Sequence, residues 1–253
     1  MFLFEPGRTQ FDLNFRLFGV DVRIHPMFWL VTAILGWDLT DVQDGMKYLA
    51  LWFVVVFVSI LIHELGHVFM GRIFGSDGHI VLYGFGGLAI GSNQLDKRWQ
   101  RIAVSFAGPL AQFVLLGLVL LTGIVVSMAG EDKVSVPLRF LYIQMVWVNS
   151  FWPLVNLLPI WPLDGGMIAR ELFQATMRAA GTGASLVVSM IVAGTCSAYS
   201  IAAANGYLRI PFIPGDMYLG LFFALFAVSN FQEWQMLRDH SDRPWKEEPP
   251  DSW

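Results

Sequence analysis

The sequence predicts an all-α polytopic membrane protein of about six transmembrane helices. It adds a re-entrant β-hairpin after the second helix and a small surface hairpin at the N-terminus. Three observations carry that prediction. Hydrophobic residues make up 55% of the 253, and only 14% are charged, against about 25% charged in soluble domains. The mean hydropathy is +0.56. Apolar runs recur along the chain, several approaching the roughly 20 residues that a helix needs to cross hydrocarbon.

Residues 1–24 alternate apolar and polar positions, as in Phe11-Asp12-Leu13-Asn14-Phe15-Arg16-Leu17 and Val20-Asp21-Val22-Arg23-Ile24. That period of two, broken at Phe18-Gly19, predicts a short hairpin at the membrane surface. Pro26 suits a first helical position and opens an apolar run to Trp37, read as a short first transmembrane helix. Residues 46–74 form the second. Residues 79–91 are apolar but hold Gly84, Gly86, Gly87 and Gly91, too many for a spanning helix. A hairpin dipping into the bilayer fits better, since irregular backbone survives there only when covered by protein or water. Helices follow over about 102–129, with Gly108-Pro109 as a kink, and about 138–158; Glu131-Asp132-Lys133 is the loop between them. Pro159, Pro162 and Gly165-Gly166 then leave irregular backbone around Asp164. Residues 171–183 read as a short polar connection, and the fifth and sixth helices as about 184–204 and 217–231. The tail from Arg238 is charged and proline-rich. The resulting division is 1–24 as an interface segment, 25–235 as the transmembrane domain and 236–253 as a tail.

Charge gives the orientation. Twelve Lys and Arg fall on the side of the N-terminus and four on the opposite side (Lys47, Lys133, Arg139, Arg209), which places both termini in the cytoplasm. The second and fourth helices then run in the same direction and end towards the cytoplasmic leaflet. Arg72 and the Lys97/Arg98/Arg101 group read as cytoplasmic anchors. A net charge of −4 argues against a nucleic-acid partner. The single cysteine, Cys196, lies in an apolar stretch and reads as packing. No removable signal peptide is evident, so the first transmembrane helix is expected to direct insertion.

His63-Glu64-Leu65-Gly66-His67 lies near the end of the second predicted helix. Each helical residue turns about 100°, so His63 and His67 lie one turn apart on one face, spaced for two imidazole bonds to one zinc. Glu64 can turn towards the same metal and act on a water held there, whose pKa zinc would lower to about 7. A structural salt-bridge reading is weaker, because ionisable groups in a membrane helix cost about 2.5–3.5 kcal/mol each. Catalytic zinc usually takes three protein ligands. Asp164 is the only carboxylate between Lys133 and Arg170, and the threading permits it to join the histidines. Its local sequence fits an Asx-turn or a helix N-cap ahead of Gly165-Gly166 equally well. His25 reads as an interfacial packing residue, while Gln112, Gln144 and Asn149 read as interhelical hydrogen bonders.

Taken together, His63-Glu64-Leu65-Gly66-His67, Gly86-Gly87, Gly108-Pro109-Leu110-Ala111 and Asn156…Pro162-Leu163-Asp164-Gly165 resemble the site-2 protease family of intramembrane zinc metalloproteases. The resemblance covers about residues 15–235. Arg23-Ile24-His25-Pro26 and the six-helix layout are most similar to the branch of the sporulation pro-sigma-factor processing protease. The resemblance implies Zn2+ held by His63, His67 and Asp164, with Glu64 as catalytic base. It also implies Asn156 at the active site and Gly86 and Gly87 near the substrate path. The implied reaction is hydrolysis of a peptide bond within or near the transmembrane segment of a single-pass, membrane-tethered regulatory protein. An anti-sigma factor or a transcription factor precursor is the implied substrate class, and a bacterial or archaeal inner membrane the setting. With no PDZ or cystathionine-β-synthase domain in view, a separate regulatory protein would gate access. Gln112 departs from the pattern, standing where the family commonly shows Asn.

The 79–91 hairpin offers an edge strand that would draw a substrate into extended form, unless its glycines serve only tight packing. Two readings from other classes remain. One is a proton- or metal-coupled transporter using His63, Glu64, His67 and Asp164 as a relay, which would show repeat symmetry. The other is a protease-like protein that binds membrane helices without cutting them.

Overall fold

The computed structural model describes residues 5–84, 86–129, 134–210 and 213–241. The loop expected at Glu131-Asp132-Lys133 and the tail beyond residue 241 lie outside these. The chain divides into two compact units, one of Leu3–Leu157 and the other from Leu158 onward. The boundary between them falls just before Pro159 and Pro162, where the helical pattern is interrupted.

The first unit begins with strands β1 (Leu13–Leu17) and β2 (Val20–Ile24), an antiparallel hairpin pairing Leu17 with Val20. Phe18 and Gly19 close it with φ of 49° and 76°, the left-handed pair that a two-residue hairpin turn requires. The helix α1 (Pro26–Leu35) follows. Its first position is the proline, whose fixed φ suits a helix start, and the Nδ1 of His25 accepts a hydrogen bond from the amide of Met27 at 3.2 Å. His25 is therefore a helix cap. Ten residues span about 15 Å, so α1 is about half the length of a helix that crosses hydrocarbon roughly 30 Å thick, shorter than the expected first transmembrane helix.

Helix α2 (Gly45–Ile73) carries the unit's core. Val55, Val56, Ser59, Ile60, His63, Glu64, His67, Val68 and Gly71 repeat at helical spacing and are all buried. At its end, Arg72 donates to the carbonyls of Gly19 (2.7 Å) and Phe18 (3.4 Å), tying the helix to the β1–β2 turn. Strands β3 (His79–Tyr83) and β4 (Gly86–Ile90) form the expected second hairpin. The two hairpins are not separate, however. β2 pairs with β3 in parallel, Val22 opposite Ile80 and Ile24 opposite Leu82, giving one sheet in the order β1-β2-β3-β4. β3 is therefore central and buried on both sides, as its unbroken Ile-Val-Leu run allows, while β4 is an edge. Helices α3 (Arg98–Ala129) and α4 (Val136–Asn156) complete the unit.

The second unit contains α5 (Asp164–Met177), α6 (Gly181–Ala204) and α7 (Met217–Ser241). The polar connection expected over 171–183 is instead helical. Residues 167–180 contain neither glycine nor proline, and Ala, Glu, Leu, Gln and Met favour helix. Only a 3-10 turn at Arg178–Ala180 separates α5 from α6. Among the described residues, three helical stretches are long and apolar enough to cross a membrane: Gly45–Ile73, Arg98–Met128 and Asp164–Ala204. The fold is mostly helical with one small sheet.

Candidate metal centre

One turn of α2 presents His63, Glu64 and His67, all buried. The Nε2 atoms of the two histidines face each other at 3.0 Å. The Nδ1 of His67 lies 2.7 Å from the carbonyl oxygen of Val104, and that of His63 lies 2.9 Å from Oε1 of Gln112. A carbonyl oxygen only accepts, so His67 carries its proton on Nδ1 and turns an Nε2 lone pair towards His63. Two imidazole nitrogens on one tetrahedral zinc stand about 3.3 Å apart, close to the spacing found here. Imidazole also suits zinc chemically. The donor set fits the metal that the motif suggested.

Glycines set how closely the neighbouring elements approach this turn. A Cβ on Gly108 would overlap Nε2 of His67 and press on that of His63, so the α3 backbone lies directly against the two rings. A Cβ on Gly66 would lie 2.5 Å from the carbonyl oxygen of Ala107 and 2.9 Å from Cβ of Ala111. Small residues on both helices thus bring α2 and α3 together at the motif, as in close helix pairs within membranes. On the other side, a Cβ on Gly87 would overlap the Glu64 carboxyl group. Gly86 has a φ of +117°, which only glycine adopts easily, and its open face lies against Trp152. Of the two glycines that the sequence had singled out, Gly87 thus brings strand β4 against the Glu64 carboxyl group and Gly86 brings it against Trp152. Tyr83, opposite Gly86, is pushed up to about 12 by burial and then by the negative charge of Glu64, and stays a phenol.

Asn156 ends α4, and its Nδ2 donates to the Trp152 carbonyl one turn back at 3.0 Å. Asp164 belongs to the second unit, where it is buried in the first turn of α5. The N-cap is Leu163, so Asp164 is not the cap that its local sequence allowed. A carboxylate in a first turn is favoured by the positive end of the helix dipole. The segment before it is held at Trp161. The Trp161 amide donates to Oγ of Ser189 at 2.9 Å, and its carbonyl accepts from Nδ2 of Asn230 at 2.7 Å. Its ring carries the Arg170 guanidinium at 3.5 Å, and Arg170 in turn donates to Glu233 at 3.0 Å. Sequence reasoning missed this clamp, and it missed the placement of Gly66, Gly108 and Gln112 around the histidines. Small residues and a lone amide on apolar helices were the available signals.

The sequence model of peptidase family M50 matches residues 51–130 and 121–198, more than half of the chain and all of α2 from its second turn onward. The chain belongs to peptidase family M50. Within that family it is 29% identical over 194 residues to a zinc metalloprotease of Methanocaldococcus jannaschii, covering 72% of this chain and 53% of the relative. It is 31% identical over 155 residues to stage IV sporulation protein FB of Bacillus subtilis, covering 60% of this chain and 48% of the relative. The chain thus spans about half the length of these curated M50 relatives. Its fold matches the site-2 protease from Methanocaldococcus jannaschii with a TM-score of 0.56 at 19% identity, over 96% of this chain and 100% of that one.

Proposed function

We propose that this chain is a zinc-dependent intramembrane endopeptidase that cuts a membrane-tethered regulatory protein within or near its transmembrane segment. The observation that carries the reading is the convergence of the His63 and His67 Nε2 atoms at 3.0 Å, with Glu64 on the same turn and packed against an edge strand. His63 and His67 hold Zn2+, and Asp164 is the third ligand. A buried carboxylate supplies the hard oxygen donor that two imidazoles lack, and three protein ligands leave one position open for chemistry. The relatives named zinc metalloprotease support the same metal.

When bound, zinc supplies Lewis acidity that acidifies water and polarises a carbonyl oxygen. Glu64 accepts the proton of the attacking water and returns it to the leaving amine, so one carboxylate serves both halves of the hydrolysis. A helical substrate hides its scissile amide in its own hydrogen bonds. Strand β4 has an open edge beside Glu64, and an extended substrate segment pairing there would present that amide. Gly86 and Gly87 keep the approach clear, and Asn156 lines it. The site lies towards the cytoplasmic leaflet of a bacterial or archaeal inner membrane, with both termini cytoplasmic, as the Lys and Arg distribution indicates. The substrate class is a single-pass protein such as an anti-sigma factor or transcription factor precursor, and a separate protein gates access.

The test uses detergent-purified protein, candidate single-pass substrates, a zinc chelator and a Glu64→Gln variant. Cleavage that is lost with the chelator and restored by zinc is expected. Glu64→Gln should retain zinc and lose cleavage, whereas His63→Ala or Asp164→Asn should lose both. Wild-type cleavage by Glu64→Gln would remove Glu64 from its role.

A further inference from the structure

We infer that Gln112 and Asn149 are positioning residues that fix the proton of His63 on Nδ1 through a one-way chain of amides anchored at the Met145 carbonyl. The chain crosses three helices and is dry throughout: Ser59, Gln112 and Asn149 are all fully buried. Asn149 Nδ2 donates to the Met145 carbonyl at 2.9 Å and to Oγ of Ser59 at 2.9 Å. Gln112 Nε2 donates to Oδ1 of Asn149 at 3.4 Å, and Gln112 Oε1 faces Nδ1 of His63 at 2.9 Å.

The direction of the whole chain follows from its far end. A backbone carbonyl has no proton to give, so Asn149 must turn its NH2 group to Met145. Reversed, it would set oxygen against oxygen in a buried site with no water to intervene, a costly arrangement. With that NH2 committed, Asn149 offers only its oxygen to Gln112. Gln112 must then give its own NH2 to Asn149 and keep its oxygen for His63. An oxygen at His63 Nδ1 requires an N–H there, which leaves the lone pair on Nε2, the atom facing His67. A reversed Gln112 would donate to Nδ1, force the proton onto Nε2 and close that nitrogen to a metal. The two histidines therefore reach the same tautomer by different routes. His67 is fixed directly by the Val104 carbonyl, and His63 only through two side-chain amides. Second-sphere partners of metal-bound histidines commonly do this with one carboxylate or carbonyl. Here the role falls to Gln112, whose single amide touches both His63 and Asn149.

The inference rests on the reading of His63 as a metal ligand, and the experiment separates the two. Protein carrying 15N-labelled histidine is prepared in detergent micelles with one equivalent of zinc, above the imidazole pKa, with His63→Ala and His67→Ala for assignment. Zinc affinity is measured by chelator competition on the same samples. The His63 ring is expected as the Nδ1–H tautomer in wild type. Gln112→Leu and Asn149→Leu should each shift it towards a mixture while His67 stays unchanged. Zinc binding should weaken about 10–100-fold in Gln112→Leu. Gln112→Glu should restore most of it, since either protonation state presents an oxygen to His63. Size-exclusion profiles and thermal transitions identify variants that remain folded. An Nε2–H tautomer in wild type would overturn the inference. So would a folded Gln112→Leu and a folded Asn149→Leu that both keep wild-type tautomer and zinc affinity. If His63→Ala leaves zinc affinity unchanged, His63 is no ligand, and the site reading falls together with the inference.

Discussion

The carboxyl group of Glu64 occupies the space that a side chain on Gly87 would need. Strand β4 and the motif helix are fitted together at this point, and a single methyl group disturbs the fit. Gly87→Ala should displace Glu64 while leaving both imidazoles in place. Positioned acid–base groups contribute about 10²–10⁴-fold to rate, so a loss of cleavage of at least tenfold is expected. Zinc content per chain should stay at the wild-type level. Loss of zinc in this variant would show that Gly87 supports the whole turn and not Glu64 alone.

Gly108 makes the complementary prediction for the metal. Its Cα lies against both imidazole rings, and a Cβ there would overlap Nε2 of His67. Gly108→Ala must push either the rings or the α3 backbone. Overpacking of this kind costs about 1–3 kcal/mol, or roughly 5- to 150-fold in an equilibrium constant if the rings absorb it. Zinc affinity measured against a competing chelator should fall accordingly. An unchanged affinity together with a lowered thermal transition would mean that α3 moved instead.

The residues proposed to do the chemistry were more legible than the frame that holds them. His63, Glu64 and His67 could be read because one turn of helix fixes their spacing locally. The two hairpins could be read for the same reason, from alternation at residues 13–24 and glycines at 79–91. Their union into one sheet could not, because the β2–β3 ladder joins Val22 to Ile80 across almost sixty residues and nothing local signals a parallel pairing. The short α1 was misjudged from its apolar run, which continues past its end: Gly36 caps the helix, and Trp37–Asp41 turns into a 3-10 segment. Gln112 looked like a generic interhelical amide, since its partner on α2 lies 49 residues away. Arg170 was counted only as a charge for topology, although it stacks on Trp161.

An open edge at β4 predicts an alternating response to proline. In an antiparallel pair, successive residues direct their backbone groups alternately towards the partner and away from it. Proline introduced singly at Leu88, Ala89 and Ile90 should therefore fall into two classes. Where the amide faces β3, the hairpin is broken and the protein should lose thermal stability. Where it faces outwards, the fold should persist with zinc bound, and cleavage of a transmembrane substrate should drop. Full cleavage by every folded proline variant would exclude pairing of substrate with this edge.

The sheet has its own acid sensitivity, located at Asp12. The Thr9 hydroxyl, followed by Arg23, holds the Asp12 carboxyl down to about 2 from an ordinary 3.8. A depressed carboxylate stabilises the folded state above its unfolded pKa and loses that contribution as pH falls through the folded value. Unfolding monitored between pH 5 and pH 2 should show stability declining from just below pH 4. Asp12→Asn should be less stable at neutral pH and lack that part of the decline. A decline of the same size in Asp12→Asn would assign it to another carboxylate.

The Trp161 clamp predicts an effect of Arg170 on Asp164, six residues away. Trp161 is fixed at its amide by Ser189, at its carbonyl by Asn230 and on its ring face by Arg170. Three residues later α5 begins with Asp164, so the irregular segment has little freedom to reposition the carboxylate. Removing the guanidinium in Arg170→Met loses a stacked cation worth about 0.5–2 kcal/mol and leaves Glu233 without its ion-pair partner at 3.0 Å. If Asp164 is a zinc ligand, affinity should fall by roughly two- to thirtyfold, the same free energy expressed as a binding constant. Arg170→Lys should rescue little, because an ammonium restores the charge but not the planar stack. A metal-free thermal transition that falls in Arg170→Met while zinc affinity stays at the wild-type level would mean that Arg170 acts on the fold as a whole and not through Asp164.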